Sequence, residues 1–134
     1  MILLTVVGQA FTAAGYSLEE RPVQWAGGQF RFSKQLENGL TAYVEFQLLA
    51  YSDNAFASGN PSRFRVTLSR SDGLSRPLSE LVVKDFGVSI LPSADHWWMF
   101  RNTTELGHAL AEAGHLIVAY GMPYLAGELI PPSG

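Results

Sequence analysis

The sequence predicts an α+β fold, in which an antiparallel β-sheet of four to five strands carries an N-terminal and a C-terminal helix packed on one face. Three observations lead to this fold class. Apolar residues recur every three or four positions near both ends of the chain, they alternate with polar residues through its middle, and turn-forming residues separate the alternating segments. One sheet with helices on one face buries all of these apolar positions in a single core.

The first helix is predicted over about residues 2–14. Its apolar residues have the three-and-four spacing of one helix face. They are Leu3, Val6, Val7, Ala10, Phe11 and Ala14. Gly15 follows, and glycine commonly provides the left-handed residue that ends a helix. We do not expect this apolar start to act as a signal peptide, because no basic residue precedes it.

Four strands are predicted, at about residues 29–36, 40–51, 63–70 and 96–101, and residues 88–91 form a further extended stretch. A Glu-Asn-Gly sequence joins the first two strands and is typical of a hairpin turn. The second and third strands are separated by a loop of about eleven residues, a length that is often associated with function or mobility.

The strand at 40–51 has two unlike faces. One face is apolar and is expected to point into the core, because it carries Ala42, Val44 and Phe46. The other face mixes polar and aromatic side chains, so we expect a loop or a second subunit to cover part of it. This second face consists of Thr41, Tyr43, Glu45, Gln47, Leu49 and Tyr51.

A short helix is predicted over residues 77–87. Pro77 suits the start of a helix, and the apolar residues that follow it have helical spacing. The adjacent pair Val82 and Val83 leaves a strand as the alternative for this segment.

The last helix is predicted over residues 103–120. Asn102 or Thr103 is placed to cap it, and if Asn102 is the cap, Glu105 is placed to reach back to the amide of the cap residue. Gly121 and Pro123 are expected to end the helix, because glycine favours a helix end and proline prevents continuation.

The composition indicates one folded domain over residues 1–134, with 130–134 as a loose tail. Its hydrophobic fraction is 47%, and its net charge is −3 with nine basic residues. The basic residues are scattered, so nucleic acid is not expected as a partner, and Arg63 and Arg65 are interpreted as part of a solvated strand face. The chain has no cysteine, which excludes thiolate chemistry and fits the cytoplasm, and no apolar run has the length of a membrane span.

The last helix carries two Glu-x-x-His motifs, Glu105 to His108 and Glu112 to His115. This spacing occurs among the metal ligands of di-iron helical bundles. All four side chains project opposite the apolar stripe of the helix, however, and no second Glu-x-x-His helix completes the set. A solvated polar face is therefore the preferred interpretation, and no metal site is expected.

His96 follows Asp95 and precedes two tryptophans. A carboxylate beside an imidazole can tune a general base, but adjacent strand residues point to opposite faces. A structural histidine at the rim of the sheet is the preferred interpretation. The sequence contains neither a nucleophile elbow nor a phosphate-binding glycine motif, so no catalytic residue and no cofactor are expected.

Aromatic residues are the remaining candidates for binding. Trp97 and Trp98 must point to opposite faces if both lie in a strand, so one of them enters the core. Tryptophan and tyrosine are enriched at interface hot spots, although they pack cores as well. The candidate ligand- or partner-binding residues are Tyr43, Glu45, Gln47, Tyr51, His96 and Trp98.

The order of the motifs resembles that of a known family. A first helix precedes a strand that ends in Glu-Phe-Gln, and an Arg-Phe-Arg-Val-Thr-Leu strand, a helix ending Asp-Phe-Gly, a Trp-Trp pair and a helix ending Tyr-Gly-Met-Pro-Tyr-Leu follow. This pattern is similar to that of a family of small bacterial α+β proteins described as a domain of unknown function. The resemblance implies a bacterial, cytosolic protein and assigns no catalytic residue.

Two functions are consistent with these observations. The first is a non-catalytic domain that binds another protein or forms a homo-oligomer, expected as a symmetric dimer through Tyr43, Leu49 and Tyr51. The alternative is a sensor or enzyme for a small ligand, with a pocket near His96, Glu45 and Gln47. The lack of a nucleophile motif and of a convincing metal set favours the first.

Overall fold

The computed structural model describes residues 7–19, 29–49, 62–88, 91, 93, 94 and 96–130. In this part of the chain the fold is α+β with a six-stranded antiparallel sheet, which confirms the predicted class. The strands are β1 (Ser17–Leu18), β2 (Gln29–Gln35), β3 (Thr41–Leu49), β4 (Ser62–Arg70), β5 (Ser75–Pro77) and β6 (Trp98–Phe100). The α-helical segments are α1 (Gln9–Ala13), α2 (Leu78–Glu80), α3 (Thr103–Leu116) and a last turn at Met122–Leu125.

The strands pair in the order β1-β2-β3-β4-β5, and β6 also pairs with β4. β5 lies beside residues 67–69 of β4, whereas β6 lies beside residues 62–64, so these two short strands share one edge of β4. The sheet has more strands than predicted. The additional strands are β1 and β5, which contain only two and three residues. Segments this short show no periodicity that a sequence pattern can reveal.

A row of aromatic rings crosses the core face of the sheet. Phe32 lies 4.8 Å from Phe11 and 6.1 Å from Phe46 between ring centroids. Phe46 in turn lies 6.1 Å from Phe64, which stacks on Trp98 at 5.5 Å. All five rings are buried. Ring pairs at these separations add to the stabilisation that burial provides, so this row is the centre of the fold.

Only the second half of the predicted N-terminal helix lies in the described part of the chain. α1 spans Gln9–Ala13, and residues 1–6 of the predicted helix lie outside the described residues. Phe11 of α1 is fully buried. Gly15 ends this segment with a positive φ of 93°, as the sequence predicts.

The segment at 77–87 is helical, as preferred from the sequence. β5 ends at Pro77, α2 follows at once, and a π-helical turn at Leu81–Asp85 extends it. Arg76 secures this connection, because its guanidinium pairs with Asp85 at 2.7 Å and with Glu80 at 2.9 Å between nitrogen and oxygen.

α3 begins with the predicted cap. Asn102 Oδ1 accepts a hydrogen bond from the Glu105 amide at 2.8 Å. The Glu105 carboxylate accepts from the amide of Arg101, also at 2.8 Å, and not from the amide of Asn102 as predicted. Both bonds satisfy amides at the start of the helix, where no backbone carbonyl is available.

The predicted end of the last helix at Gly121 and Pro123 is wrong. α3 passes through a π-helical turn at Ile117–Gly121 into a further α-helical turn at Met122–Leu125. Pro123 lies in the first turn of that last segment, a position at which proline is tolerated. Gly121 serves close packing instead, since a Cβ atom there would lie 3.1 Å from Leu68 Cδ2.

Tyr16 makes the stability of the fold sensitive to alkaline pH. Its side chain is buried, and burial raises the pKa of its hydroxyl to about 12 from 10.0. The unfolded chain therefore loses this proton first, so the contribution of neutral Tyr16 is complete below pH 10 and is lost as pH rises through about 12. We expect a loss of about 2 to 3 kcal/mol over this window that Tyr16→Phe does not show. Urea unfolding of both proteins at pH 9 and 11.5 measures it, and parallel losses would contradict this account.

Candidate functional site

The candidate site is the face of the sheet opposite the aromatic core. Side chains alternate along β2, β3 and β4, so every second residue of these strands points away from the core. We call this surface the outer face, and its central members are Arg31, Tyr43, Glu45, Gln47, Arg63 and Arg65, with Trp97 and Met99 at its edge. Strand register places Arg31 opposite Glu45, Gln47 opposite Arg65, and Arg63 opposite Met99.

Arg31 organises one side of the outer face. Its guanidinium donates two hydrogen bonds to the Glu19 carboxylate, at 3.0 Å from Nε and 2.9 Å from Nη2. The hydrogen bond to Glu19 raises the pKa of Arg31 above its ordinary value. The same guanidinium lies over the ring of Tyr43, with its Cζ 4.4 Å from the ring centroid. Arg31 is thus fully engaged within the protein, and the Tyr43 ring is less available than the sequence indicates.

Trp97 organises the other side. Arg63 and Arg65 both lie over its ring, with their Cζ atoms 4.6 and 4.8 Å from the ring centroid. Arg65 Nε also donates to Gln47 Oε1 at 2.9 Å, which links this cluster to β3. Two cations therefore share one aromatic ring, and each is attracted by its electron-rich face. We call Arg63, Arg65 and Trp97 the arginine–tryptophan cluster.

This cluster has positive charge that the described part of the chain does not neutralise. Among the described residues, no carboxylate lies within ion-pair distance of Arg63 or Arg65, whereas Arg31 and Arg70 each have one and Arg76 has two. Arg63 Nε is buried and has no hydrogen-bond partner there either. A buried donor without an acceptor is costly, so the described residues leave the Arg63 guanidinium incompletely satisfied.

The structure divides the residues predicted from sequence between two sides of the sheet. Tyr43, Glu45 and Gln47 lie together on the outer face. Trp98 lies in the core, where it stacks on Phe64 and its Nε1 donates to Glu112 Oε1 at 3.3 Å. His96 packs edge-on against Trp98 with ring centroids 4.8 Å apart. The sheet thus separates His96 from Glu45 and Gln47. Tyr51 lies outside the described residues.

Trp97, Arg63 and Arg65 were not among the predicted site residues. The sequence shows that two adjacent tryptophans point to opposite faces, but alternation alone does not decide which one enters the core. The two arginines share a face by their spacing, and their placement beside Trp97 depends on the pairing of β4 with β6. A long-range strand pairing of this kind leaves no local signal in the sequence.

The polar side of α3 carries both Glu-x-x-His motifs. Glu105, His108, Glu112 and His115 are exposed, as predicted. No group of three potential ligands close enough to hold a metal ion occurs among the described residues. Beside this helix, Val7, Phe11, Gly114 and Val118 line a mainly apolar groove of about 330 Å³, whose one titratable described residue is His115.

Comparison with protein-family models, curated proteins and solved structures finds no match to this chain. In the residues that the structure describes, no helix has the length and apolar character needed to cross a membrane.

Proposed function

We propose that this protein is a non-catalytic interaction domain that binds another protein chain through the outer face of its sheet. The observation that carries the proposal is the arginine–tryptophan cluster, in which two arginines without a described carboxylate partner lie over Trp97. Met99 adjoins the cluster and is 60% exposed. A charged and aromatic surface next to an exposed apolar side chain is the composition expected of an interface centre.

The residue types of the outer face support this function. Tryptophan, arginine and tyrosine are the residues most enriched among binding hot spots, and methionine is also enriched at interfaces. Here they occupy neighbouring positions on β3, β4 and the start of β6. An open sheet face can make many simultaneous contacts with a second surface, which suits protein recognition better than enclosure of a small molecule.

The alternative function, a small-ligand sensor or enzyme using His96, Glu45 and Gln47, has less support. These residues lie on opposite sides of the sheet, so one ligand in a shared pocket would not contact all of them. Glu45 also lies opposite Arg31 in the strand register.

The partner in this proposal is either a second copy of the chain or a different protein. A symmetric dimer would place Tyr43 and Leu49 of both copies in the interface, and Lys at both positions would then give a folded monomer. Light scattering at tens of micromolar distinguishes the two cases. Arg31 already covers the Tyr43 ring. A dimer would therefore bury less apolar surface than the sequence indicates, and we favour a different protein as the partner.

The proposal is tested by affinity capture from cells of the source organism with two matched variants. Met99→Glu changes an exposed apolar residue of the outer face, and Val118→Glu changes an exposed apolar residue of the helical side. We expect a captured protein that the unaltered chain and Val118→Glu retain and that Met99→Glu loses, because a carboxylate at 99 removes apolar contact and occupies Arg63. Loss with Val118→Glu alone, or equal capture by all three, would contradict an interface on the outer face.

A further inference from the structure

The arginine–tryptophan cluster places positive charge on one side of a chain whose net charge is −3. Three other arginines have their charge balanced locally, Arg31 by Glu19, Arg70 by Asp72, and Arg76 by two carboxylates. Arg63 and Arg65 have no such partner in the described residues, and the carboxylate described nearest to them in the strand register, Glu45, lies opposite Arg31. The cluster is therefore the part of the outer face that attracts an anionic partner.

The hydrogen-bonding groups of the cluster specify the anion further. Arg65 Nε donates a hydrogen bond to Gln47 Oε1, whereas no described residue accepts a hydrogen bond from the terminal nitrogens of Arg63 and Arg65. A guanidinium presents paired N–H donors in a plane, which match the two oxygens of a carboxylate. The Trp97 ring lies against both guanidiniums and excludes water from that side. Partial exclusion of water strengthens an ion pair that forms on the open side.

We infer that Arg63, Arg65 and Trp97 bind the carboxylate side chains of an acidic segment of a partner protein. This inference rests on the proposed function, since it names the chemistry of the partner that the outer face recognises. Met99 lies opposite Arg63 and is largely exposed, so an apolar residue next to the acidic ones would complete the contact. Glutamate or aspartate next to an apolar residue is thus the pattern that the cluster fits.

Charge and stacking favour an acidic protein segment over single-stranded nucleic acid. Binding to a phosphate backbone relies on a groove with many cationic contacts, whereas this cluster has two guanidiniums and the same face carries Glu45. Bases also need free aromatic rings on which to stack. Here arginines already lie over both Trp97 and Tyr43. An oligonucleotide therefore serves as a competing probe in the test.

Fluorescence anisotropy with short labelled probes tests the inference. The probes are an octapeptide of alternating glutamate and leucine, the same peptide with glutamine for glutamate, and single-stranded oligothymidine. We expect the full chain to bind the glutamate peptide at least about tenfold more tightly than the glutamine peptide, with an affinity that falls as salt rises. Arg63→Gln and Arg65→Gln should each weaken binding by about tenfold. Lys84→Gln, which removes one exposed positive charge from the π-helical turn at Leu81–Asp85, should leave the affinity unchanged.

Three results would overturn the inference. The first is that the glutamate and glutamine peptides bind with equal affinity at concentrations up to about 1 mM. The second is that Arg63→Gln and Lys84→Gln weaken binding of the glutamate peptide by the same factor. The third is that oligothymidine binds more tightly than the glutamate peptide. Either of the first two results would leave the proposed function standing, provided that Met99→Glu still abolishes capture of the cellular partner. Loss of both the peptide specificity and the effect of Met99→Glu would remove the proposed function as well.

Discussion

Replacing Phe46 with alanine is expected to lower the free energy of unfolding by about 3 to 5 kcal/mol. Phe46 is 2% exposed, and its ring lies between those of Phe11, Phe32 and Phe64 at centroid separations of 6.1 to 6.2 Å. Truncation removes its contacts with all three rings, and rings held by two neighbouring strands and a helix cannot close the resulting cavity completely.

Equilibrium unfolding in urea measures this loss. Met99→Ala is the matched control, because it also truncates a large apolar residue of the sheet, and Met99 is 60% exposed. Surface truncation of this kind should change stability by no more than about 0.5 kcal/mol. If Phe46→Ala cost no more than the control, the aromatic row would not be the centre of the core.

Replacing Trp97 with alanine is expected to weaken binding of the captured partner by about a hundredfold or more, which corresponds to about 3 kcal/mol at a hot spot. The substitution removes the ring over which Arg63 and Arg65 lie at 4.6 and 4.8 Å. Both guanidiniums would then regain water and rotational freedom, so the donors would no longer be held in place for an acceptor.

Trp97→Phe and His108→Ala are the controls for this prediction. Phenylalanine keeps an aromatic face for the arginines, so binding should be reduced by less than in Trp97→Ala. His108 is exposed on α3, away from the sheet, and its replacement should leave the affinity unchanged. The affinities are measured by titration calorimetry on variants shown by circular dichroism to be folded. Equal affinities for Trp97→Ala and the unaltered chain would exclude Trp97 from the interface.

The longer elements of this fold could be predicted from sequence because their signals are local. β3 and β4 each alternate over nine residues, and the predicted strands at 40–51 and 63–70 overlap them. Asn102 and Glu105 mark the start of α3 because the cap bonds join residues three or four positions apart. β1 and β5 could not be predicted, because their extended backbone depends on pairing with distant strands.

The last helix shows where a local rule is overridden by packing. Gly121 and Pro123 favour a helix end by propensity. The extension to Leu125 instead buries Met122 and Leu125. Arg70 also donates to the Leu125 carbonyl at 2.9 Å, which satisfies an acceptor at the helix end. Burial and this long-range hydrogen bond outweigh the local preference, and neither can be seen in a window of sequence.

The candidate site was partly predictable for the same reason. The alternation in β3 places Tyr43, Glu45 and Gln47 on one face, and the structure places them there. The sequence predicts Trp98 as the site residue, whereas Trp97 occupies the outer face, because adjacent aromatic residues cannot be distinguished by their period. The net charge of this surface depends on which arginines form ion pairs. Arg31 pairs with Glu19 because β1 lies beside β2, and this pairing is not visible in the local sequence.

Oxidative footprinting of Met99 tests the central claim, that the outer face binds a partner, most directly. Met99, Val118 and Ile130 are all exposed, at 60%, 44% and 79%, so one hydroxyl-radical experiment compares the outer face with two other surfaces. Buried Met122 reports whether the fold stays intact. The account predicts that adding the captured partner lowers oxidation of Met99 severalfold, while Val118, Ile130 and Met122 are oxidised as before. Unchanged oxidation of Met99 together with protection of Val118 would contradict it and would place the interface on the helical side.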